Sequence, residues 1–156
     1  MTQPADPNTQ QQDWYEPGLE FTCTQCGNCC TGPTGFVWHT PEEAQAIADH
    51  LGITLEQFKT DYAEKRHGRW SLKETKRGHL HDCIFLTWNE NHTKAGCSIY
   101  QVRPTQCRTW PFWPSNLRSP EAWDNSAERC PGMKQGGKFV PADQIRIQRD
   151  RSDPRL

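Results

Sequence analysis

The chain has 156 residues, eight cysteines, a formal net charge of −1 and only 33% hydrophobic residues. This length suits one domain, but hydrophobic burial is thin, so we expect bound metal to help hold the fold. The near-zero charge gives no long-range attraction for nucleic acid, and no apolar run approaches the roughly 20 residues that span a bilayer. We therefore expect neither a nucleic-acid partner nor a membrane partner.

The two ends of the chain are polar. Residues 1–17 are rich in Gln, Pro and Asn and are predicted to form a disordered tail. They show neither the basic nor the apolar region of a secretory signal, so we expect a cytoplasmic protein whose thiols favour metal over disulfides. The metal-binding domain is expected over residues 18–147, followed by a flexible C-terminal tail over residues 148–156.

Four cysteines are clustered at Cys23, Cys26, Cys29 and Cys30. The C-x-x-C-x-x-C spacing of the first three supplies three ligands to a [4Fe–4S] cluster in bacterial ferredoxins, and the fourth comes from elsewhere. Zinc sites usually separate two C-x-x-C pairs by a dozen or more residues, so the spacing favours iron–sulfur and leaves zinc open. Adjacent side chains of an extended chain point to opposite sides, so Cys29 and Cys30 indicate two neighbouring centres or one polynuclear centre.

Residues 40–66 are predicted to form a helical hairpin. A capping box begins the first helix at Thr40, apolar residues follow at helical spacing, and Gly52 ends it. A second capping signature at Thr54 begins a helix that is expected to run to about Lys65.

The chain beyond residue 68 predicts short strands, because aromatic and β-branched residues are concentrated in RWSLK, HDCIFLTW and GCSIY. The basic residues Lys73, Lys76 and Arg77 are expected to lie on a solvated turn. A short helix is expected near residues 120–129. The predicted fold class is α+β: a small metal-organised domain with a helical hairpin beside a short antiparallel strand region.

Four further cysteines are dispersed through the second half of the chain, and eight thiols match two four-cysteine centres in number. The candidate metal ligands are Cys23, Cys26, Cys29, Cys30, Cys83, Cys97, Cys107 and Cys130. A closed four-thiolate zinc site, which would hold the fold without catalysing a reaction, is an alternative, as are disulfides. Histidines could replace a thiol in principle, but we expect surface positions for His39, His79 and His81.

Residues around Cys107 are expected to support the site. Arg103 and Arg108 flank it, and a guanidinium beside a thiolate offsets negative charge and donates hydrogen bonds to sulfur, which makes both candidate cofactor-binding residues. For Arg103, capping a turn or pairing with a surface carboxylate is an open alternative. Tyr100 is expected to pack in the core. Three aromatic residues are expected to keep water from the site: Trp110, Phe112 and Trp113.

The segments FTCTQCGNCC, DCIFL and GCSIYQVRPTQCRTWPF occur in the order that is typical of one family. They resemble the YkgJ-like CxxCxxCC family of zinc- or iron-chelating domains, over roughly residues 20–131. The resemblance implies metal binding and fixes no reaction. One branch is similar to flagellin lysine N-methylases, which carry a related motif and are thought to hold an iron–sulfur cluster; this chain has no G-x-G-x-x-G motif.

Our first hypothesis is therefore an iron–sulfur protein, with a [4Fe–4S] cluster, that serves in redox chemistry, electron transfer or maturation with a protein redox partner. A zinc-stabilised structural or interaction module is the second hypothesis. An iron–sulfur enzyme of the methylase-like branch is the third, and the sequence leaves open whether the protein is an enzyme.

Overall fold

The computed structural model describes residues 12–134 and 136–156. Its helices are α1 (Pro41–Leu51), α2 (Leu55–Asp61), α3 (Thr105–Thr109), α4 (Pro114–Leu117), α5 (Pro120–Ala127) and α6 (Ala142–Arg151). Its strands are β1 (Leu19–Glu20), β2 (Thr31–Gly32), β3 (Ala63–Arg66), β4 (Arg69–Leu72), β5 (Glu74–Arg77), β6 (Leu80–Cys83), β7 (Leu86–Trp88), β8 (Ala95–Cys97) and β9 (Phe139–Val140). The predicted α+β class is confirmed.

The helical hairpin forms as its caps predict. The Thr40 backbone N–H donates to Glu43 Oε2 at 2.9 Å, and the Glu43 N–H donates to Thr40 Oγ1 at 3.2 Å. Gly52 ends α1 at a φ of 68°, a left-handed conformation that glycine adopts without strain. Thr54 caps α2 in the same reciprocal way. No helix in the described ranges is both long enough and apolar enough to cross a bilayer.

The second helix is shorter than the sequence predicts. It ends at Asp61, and the next residues form β3, which pairs with β4 in antiparallel register, Lys65 opposite Trp70. His67 and Gly68 make the tight turn between these strands with positive φ angles of 48° and 77°. Strand pairing across this turn overrides the helical propensity of Glu64 and Lys65.

The basic segment expected to be a solvated turn is strand β5. It pairs with β6 in antiparallel register, and β6 pairs in turn with β2, which follows the cysteine cluster. An exposed ion pair from Arg77 Nε to Asp82 Oδ2, 2.7 Å long, links β5 to β6. Two further antiparallel pairs are β7 with β8 and β1 with β9. The three-stranded sheet therefore brings the cysteine cluster next to Cys83.

Apolar side chains form two separate cores. The first core contains Tyr15, Phe112, Leu117, Trp123, Ala127, Cys130, Met133, Ala142 and Ile145. The second core contains Ala44, Ile47, Ala48, Phe58, Ala63, Leu72, Phe85 and Ile99. Cys130 belongs to the first core, and Cys83 and Cys97 pack against the second. The thiols therefore contact both cores.

The N-terminal tail expected over residues 1–17 is ordered in its last part. Tyr15 is only 2% exposed, and Arg149 Nη1 donates a 2.6 Å hydrogen bond to its hydroxyl. Trp14 Nε1 donates to the carbonyl of Leu117 at 2.7 Å. Two aromatic residues supply enough apolar surface to fix this stretch, so the expectation of disorder fails there. Residues 1–11 lie outside the described residues.

The expectation of a flexible C-terminal tail over residues 148–156 is also wrong. Helix α6 continues to Arg151, and Ser152 is 6% exposed. Asp153 Oδ2 accepts a hydrogen bond from Arg69 Nη2 at 2.5 Å, and the carbonyl of Leu156 accepts from the N–H of Ser115 at 3.0 Å. Contacts to distant parts of the chain hold this charged segment in place.

Candidate metal centre

The cysteine loop is anchored on the β7–β8 hairpin. Gly27, at a φ of 78°, lies so close to the hairpin that a Cβ there would stand 2.8 Å from the Cβ of Ala95. The N–H of Ala95 donates to the carbonyl of Gln25 at 2.8 Å. A larger residue at position 27 would push the loop off the hairpin, so glycine is required by both space and backbone conformation.

The other end of the loop is anchored by Arg129, which no motif in the sequence singles out. Asn28 Nδ2 donates to the Arg129 carbonyl at 2.8 Å. A Cβ on Gly32 would stand 2.7 Å from Arg129 Nη2, so the guanidinium occupies the space that a side chain there would need. Arg129 directly precedes Cys130 and therefore brings that cysteine to the loop.

Cys29 and Cys30 point to the same side, contrary to the sequence expectation. Their Sγ atoms are 3.6 Å apart. The chain here is a turn, closed by the hydrogen bond from the Cys30 N–H to the Gly27 carbonyl at 2.8 Å, and the alternation of an extended strand does not apply. Both thiols can therefore face one centre.

Cys83 and Cys97 reach the loop through sheet pairing. The N–H of Cys83 donates to the carbonyl of Cys30 at 2.7 Å, which extends the pairing of Thr31 with Asp82 by one residue. Cys97 ends β8 opposite Leu86 of β7, on the hairpin that carries the cysteine loop. Both thiols are thus fixed by backbone hydrogen bonds rather than by side-chain packing alone.

Cys107 is delivered by the short helix α3. Pro104, which is buried, occupies the N-cap position, and its carbonyl accepts from the Cys107 N–H at 2.9 Å. Trp113 Nε1 donates to the Gln106 carbonyl at 3.0 Å and so covers the residue beside Cys107. Pro104 therefore fixes the turn that positions the Cys107 thiol.

Five thiols lie near enough to one another that the charge or hydrogen bond of each shifts the pKa of at least one other. This main thiol group consists of Cys29, Cys30, Cys83, Cys97 and Cys107. A hydrogen bond from Cys30 lowers the pKa of Cys29 to about 7, and the same bond raises the pKa of Cys30. Burial raises the pKa of Cys83 to about 11 and raises the pKa values of Cys97 and Cys107.

Cys26 and Cys130 adjoin the main thiol group. Burial raises the pKa of Cys130, and the negative charges of Cys26 and Cys29 add to this rise. The Trp110 side chain donates a hydrogen bond to the Cys130 sulfur, which favours the thiolate. Trp110 thus contacts a candidate ligand directly, beyond the shielding role expected from the sequence. Cys23, at the start of the loop, is exposed.

Backbone N–H groups donate to several of the sulfur atoms in a shared pattern. Each donor lies two residues after its cysteine: Gln25 for Cys23, at 3.4 Å, Phe85 for Cys83, Ile99 for Cys97 and Gly132 for Cys130. Such bonds favour the thiolate over the thiol. Metal-binding thiolates are oriented by outer hydrogen bonds of this kind.

The two arginines that flank Cys107 lie in different surroundings. Arg103 acts electrostatically on Cys29, Cys97 and Cys107, and its Nε donates to the Tyr100 carbonyl at 3.0 Å. Its guanidinium stacks 3.7 Å from the centre of the Tyr100 ring. Tyr100 is 63% exposed, so the expectation of core packing is wrong, because the guanidinium holds the ring at the surface.

The Arg108 side chain contacts Thr105 and Glu43. Its Nη2 donates to Thr105 Oγ1 at 3.1 Å and lies 3.8 Å from Glu43 Oε1.

His39 and His81 are half-buried, contrary to the expected surface positions. One ring nitrogen of each is buried without a hydrogen-bond partner among the described residues. Burial lowers the pKa of His39.

The chemistry of these donors fits a thiophilic metal. All eight cysteines are free thiols. Within residues 12–134 and 136–156, no three His, Cys, Asp or Glu side chains already stand at the spacing of a metal site, so binding would draw the sulfur atoms inward. The buried thiols have raised pKa values. A bound metal ion would supply the positive charge that deprotonates them. The N–H donors and Arg103 are already placed to stabilise thiolates.

Comparison with known proteins agrees with this arrangement. The family model described as "CxxCxxCC: Putative zinc- or iron-chelating domain" matches residues 22–131, which include all the cysteines. Uncharacterized protein MJ0661 of Methanocaldococcus jannaschii is 35% identical over 101 residues, which are 64% of this chain and 49% of that protein. The chain therefore spans about half the length of this relative. No solved structure matches it.

Proposed function

The chain belongs to the CxxCxxCC family of zinc- or iron-chelating domains, and from that premise we propose that its main thiol group holds an iron–sulfur cluster. A cluster of this kind supplies one-electron redox chemistry. The protein would then exchange electrons with a protein partner. Metal binding itself follows from the family and from the chemistry of the donors.

The observation that carries this proposal is the spacing of the thiols: within the described residues no three donors stand close enough for one metal ion, although five thiols share one neighbourhood. The main thiol group has five members, and Cys26 and Cys130 adjoin it. A tetrahedral zinc ion and a [4Fe–4S] cluster each take four thiolates, so the proposal rests on how the thiols are spread and not on their number. A polynuclear centre uses thiols spread over a wider volume, and the C-x-x-C-x-x-C spacing is one that [4Fe–4S] clusters use.

The chain's own residues have defined tasks around such a centre. The N–H groups of Phe85 and Ile99 orient the sulfur atoms of Cys83 and Cys97. Arg103 offsets part of the negative charge of the thiolates, and burial together with these hydrogen bonds sets how readily a bound centre accepts an electron. Cys29 is exposed, so this edge of the site is open to a partner.

Spectroscopy of the anaerobically purified protein tests this proposal. We expect a brown protein whose visible thiolate-to-iron absorbance bleaches on reduction with dithionite and returns on mild oxidation. Cys107→Ser should lose this absorbance, because it removes a buried member of the main thiol group. Ser98→Ala, which alters the neighbour of Cys97 without removing a thiol, should retain it. A colourless wild-type protein with a flat visible spectrum would refute the proposal.

A zinc-stabilised module is the second candidate, and one distance favours it. Two ligands of a tetrahedral zinc with Zn–S bonds of about 2.3 Å lie about 3.8 Å apart. The Cys29 and Cys30 sulfur atoms are 3.6 Å apart, which is close to that edge. Stoichiometric zinc without labile sulfide in the anaerobic protein would select this candidate.

The methylase-like branch stays a prediction from the sequence. It requires a methyl-donor cofactor to bind this chain. Calorimetric titration of the metal-loaded protein with S-adenosylmethionine tests it, and a titration without heat above dilution argues against it.

A further inference from the structure

A second polar site lies between α3 and α6, on the side of α3 away from the thiols. It is a cleft of about 390 Å³, lined by Thr105, Arg108, Thr109, Gln148 and Arg151. Every lining residue is polar, two are cationic and none is a carboxylate. Its lining contains no cysteine, so its chemistry is separate from that of the metal centre.

The two helices present these residues through their regular spacing. Thr105, Arg108 and Thr109 stand at positions i, i+3 and i+4 of α3, which share one helix face. Cys107 falls on the opposite face, which lies toward the thiols. On α6, Gln148 and Arg151 stand three residues apart and so also share a face.

The hydroxyl groups in the cleft already donate hydrogen bonds within the protein, whereas the guanidinium groups retain N–H donors that a ligand can use. Thr109 Oγ1 donates to the Thr105 carbonyl at 2.9 Å, and Thr105 Oγ1 donates to Glu43 Oε1 at 2.7 Å. Arg108 uses Nη2 to donate to Thr105 Oγ1 at 3.1 Å. A guanidinium has five N–H donors, so most of those on Arg108 remain available to a ligand.

Positive charge in the cleft exceeds the nearby negative charge. The Glu43 carboxylate lies 3.8 Å from Arg108 Nη2, and the same oxygen also accepts from the Thr105 N–H at 2.7 Å. In the part of the chain that the structure describes, Arg151 forms no ion pair, and its neighbour Asp150 is engaged by Arg149 at 2.8 Å. Two guanidinium groups thus line the cleft, and the Glu43 carboxylate lies beside one of them, Arg108.

We propose that this cleft binds a small phosphate-bearing anion. Two guanidinium groups and the Gln148 amide line the same cleft and can donate charge-assisted hydrogen bonds to its oxygen atoms, which are stronger than hydrogen bonds between neutral groups. Arginine forks match the planar and tetrahedral oxygen pairs of such anions better than lysine does. The proposal holds whichever metal the thiols bind.

Isothermal titration of the metal-loaded protein with inorganic phosphate at low ionic strength tests this site, with citrate as a carboxylate comparison. We expect saturable phosphate binding at millimolar concentration or below and weaker citrate binding. Arg151→Gln and Arg108→Gln should each weaken phosphate binding roughly ten-fold, the value of one charge-assisted hydrogen bond. Arg118→Gln is the matched control, since Arg118 is exposed and does not line the cleft.

Three results would overturn the proposal. The first is no phosphate heat above dilution in the wild-type protein, and the second is citrate binding as tight as phosphate binding. The third is an unchanged titration of the folded Arg151→Gln protein. That result would show that Arg151 interacts with the C-terminal end of the α6 helix dipole and not with the anion. Arg151→Gln keeps the test informative even if Arg108→Gln disturbs the contact of α3 with Glu43, because Arg151 is exposed.

Discussion

The two cores are built in different ways. The second core, around Ile47 and Phe58, joins a helical hairpin to strands that follow it closely in the chain. The first core joins segments from opposite ends of the chain: Tyr15 bonds to Arg149, 134 residues away, and Trp14 bonds to Leu117, 103 residues away. One core therefore closes through local contacts and the other through long-range contacts.

The thiols lie between the two cores, and a metal bound by them would explain how a weakly apolar chain stays folded. Hydrophobic residues make up 33% of the sequence and are divided between two small clusters. Small cores of this kind supply little stability on their own. Cys130 from the first core and Cys83 and Cys97 beside the second come together at the cysteine loop. A metal bound there would tie one core to the other.

Loss of a central thiol should have the largest effect. Cys107→Ser should lose most of the bound metal and lower the free energy of unfolding by several kcal/mol, up to about 10, because metal binding is coupled to folding. Anaerobic urea unfolding followed by tryptophan fluorescence, with metal analysis of the same sample, measures both. A fully metallated variant with wild-type stability would show that Cys107 is not a ligand.

Cavities in either core should be the next largest effect. Phe58→Ala should destabilise the protein by about 3–5 kcal/mol, because Phe58 is fully buried. Trp123→Ala in the first core should cost a similar amount. With metal bound, both variants should still unfold in one transition. Ile147→Ala, at an exposed site, is the control and should change stability by less than about 0.5 kcal/mol. Separate unfolding of the two cores in the metal-bound variants would contradict the tie between them.

The metal-free protein should lose stability as the pH rises above about 9. Burial raises the pKa of Cys83 from 9.0 to about 11, so its favourable contribution is complete below pH 9 and is lost as the pH approaches 11. Cys97, Cys107 and Cys130 shift in the same direction. The lowered pKa of Cys29 makes its contribution to stability increase with pH. That contribution is nearly complete at pH 9, so it does not offset the loss at higher pH.

Chemical unfolding between pH 8 and pH 11 measures this dependence. The metal-loaded protein is the control and should be much less sensitive to pH in this range, because its bound thiols are already deprotonated. A metal-free protein whose stability rises across the same range would show that the buried thiols are ionised without metal.

The smallest expected effect is at a helix cap. Thr40→Ala removes the side chain that accepts from the Glu43 N–H and should cost about 1 kcal/mol. Thr60→Ala, on the exposed face of α2, removes no cap and should be neutral or slightly stabilising. Thermal unfolding of the metal-loaded variants compares them, and equal melting temperatures would show that the cap does not contribute.

The local half of the fold could be predicted because its signals are local. Thr40 and Gly52 mark the ends of α1 in the sequence as they do in the structure. Long-range contacts leave no pattern in the sequence. Nothing in the polar segment around Trp14 and Tyr15 indicates that it contacts residues more than 100 positions away. Helix α6 was missed for the same reason, since its charged residues resemble a solvated tail until their partners are known.

At the candidate site the sequence indicates which residues are candidate donors but not how they are placed. Residue type alone makes the thiols candidate metal ligands. The same-side placement of Cys29 and Cys30 depends on a turn, and the surface position of Tyr100 depends on the stacked guanidinium of Arg103. Arg129 anchors the cysteine loop through Gly32, a contact that requires the folded chain. All three are consequences of tertiary structure.

The most direct test of a metal centre between the two cores is the content of iron, zinc and acid-labile sulfide per chain after anaerobic purification, in the wild type and in Cys83→Ser. We predict several iron atoms per wild-type chain with a matching amount of sulfide, and loss of both in Cys83→Ser. A wild-type chain without stoichiometric metal, or a Cys83→Ser chain with the full wild-type complement, would contradict this account.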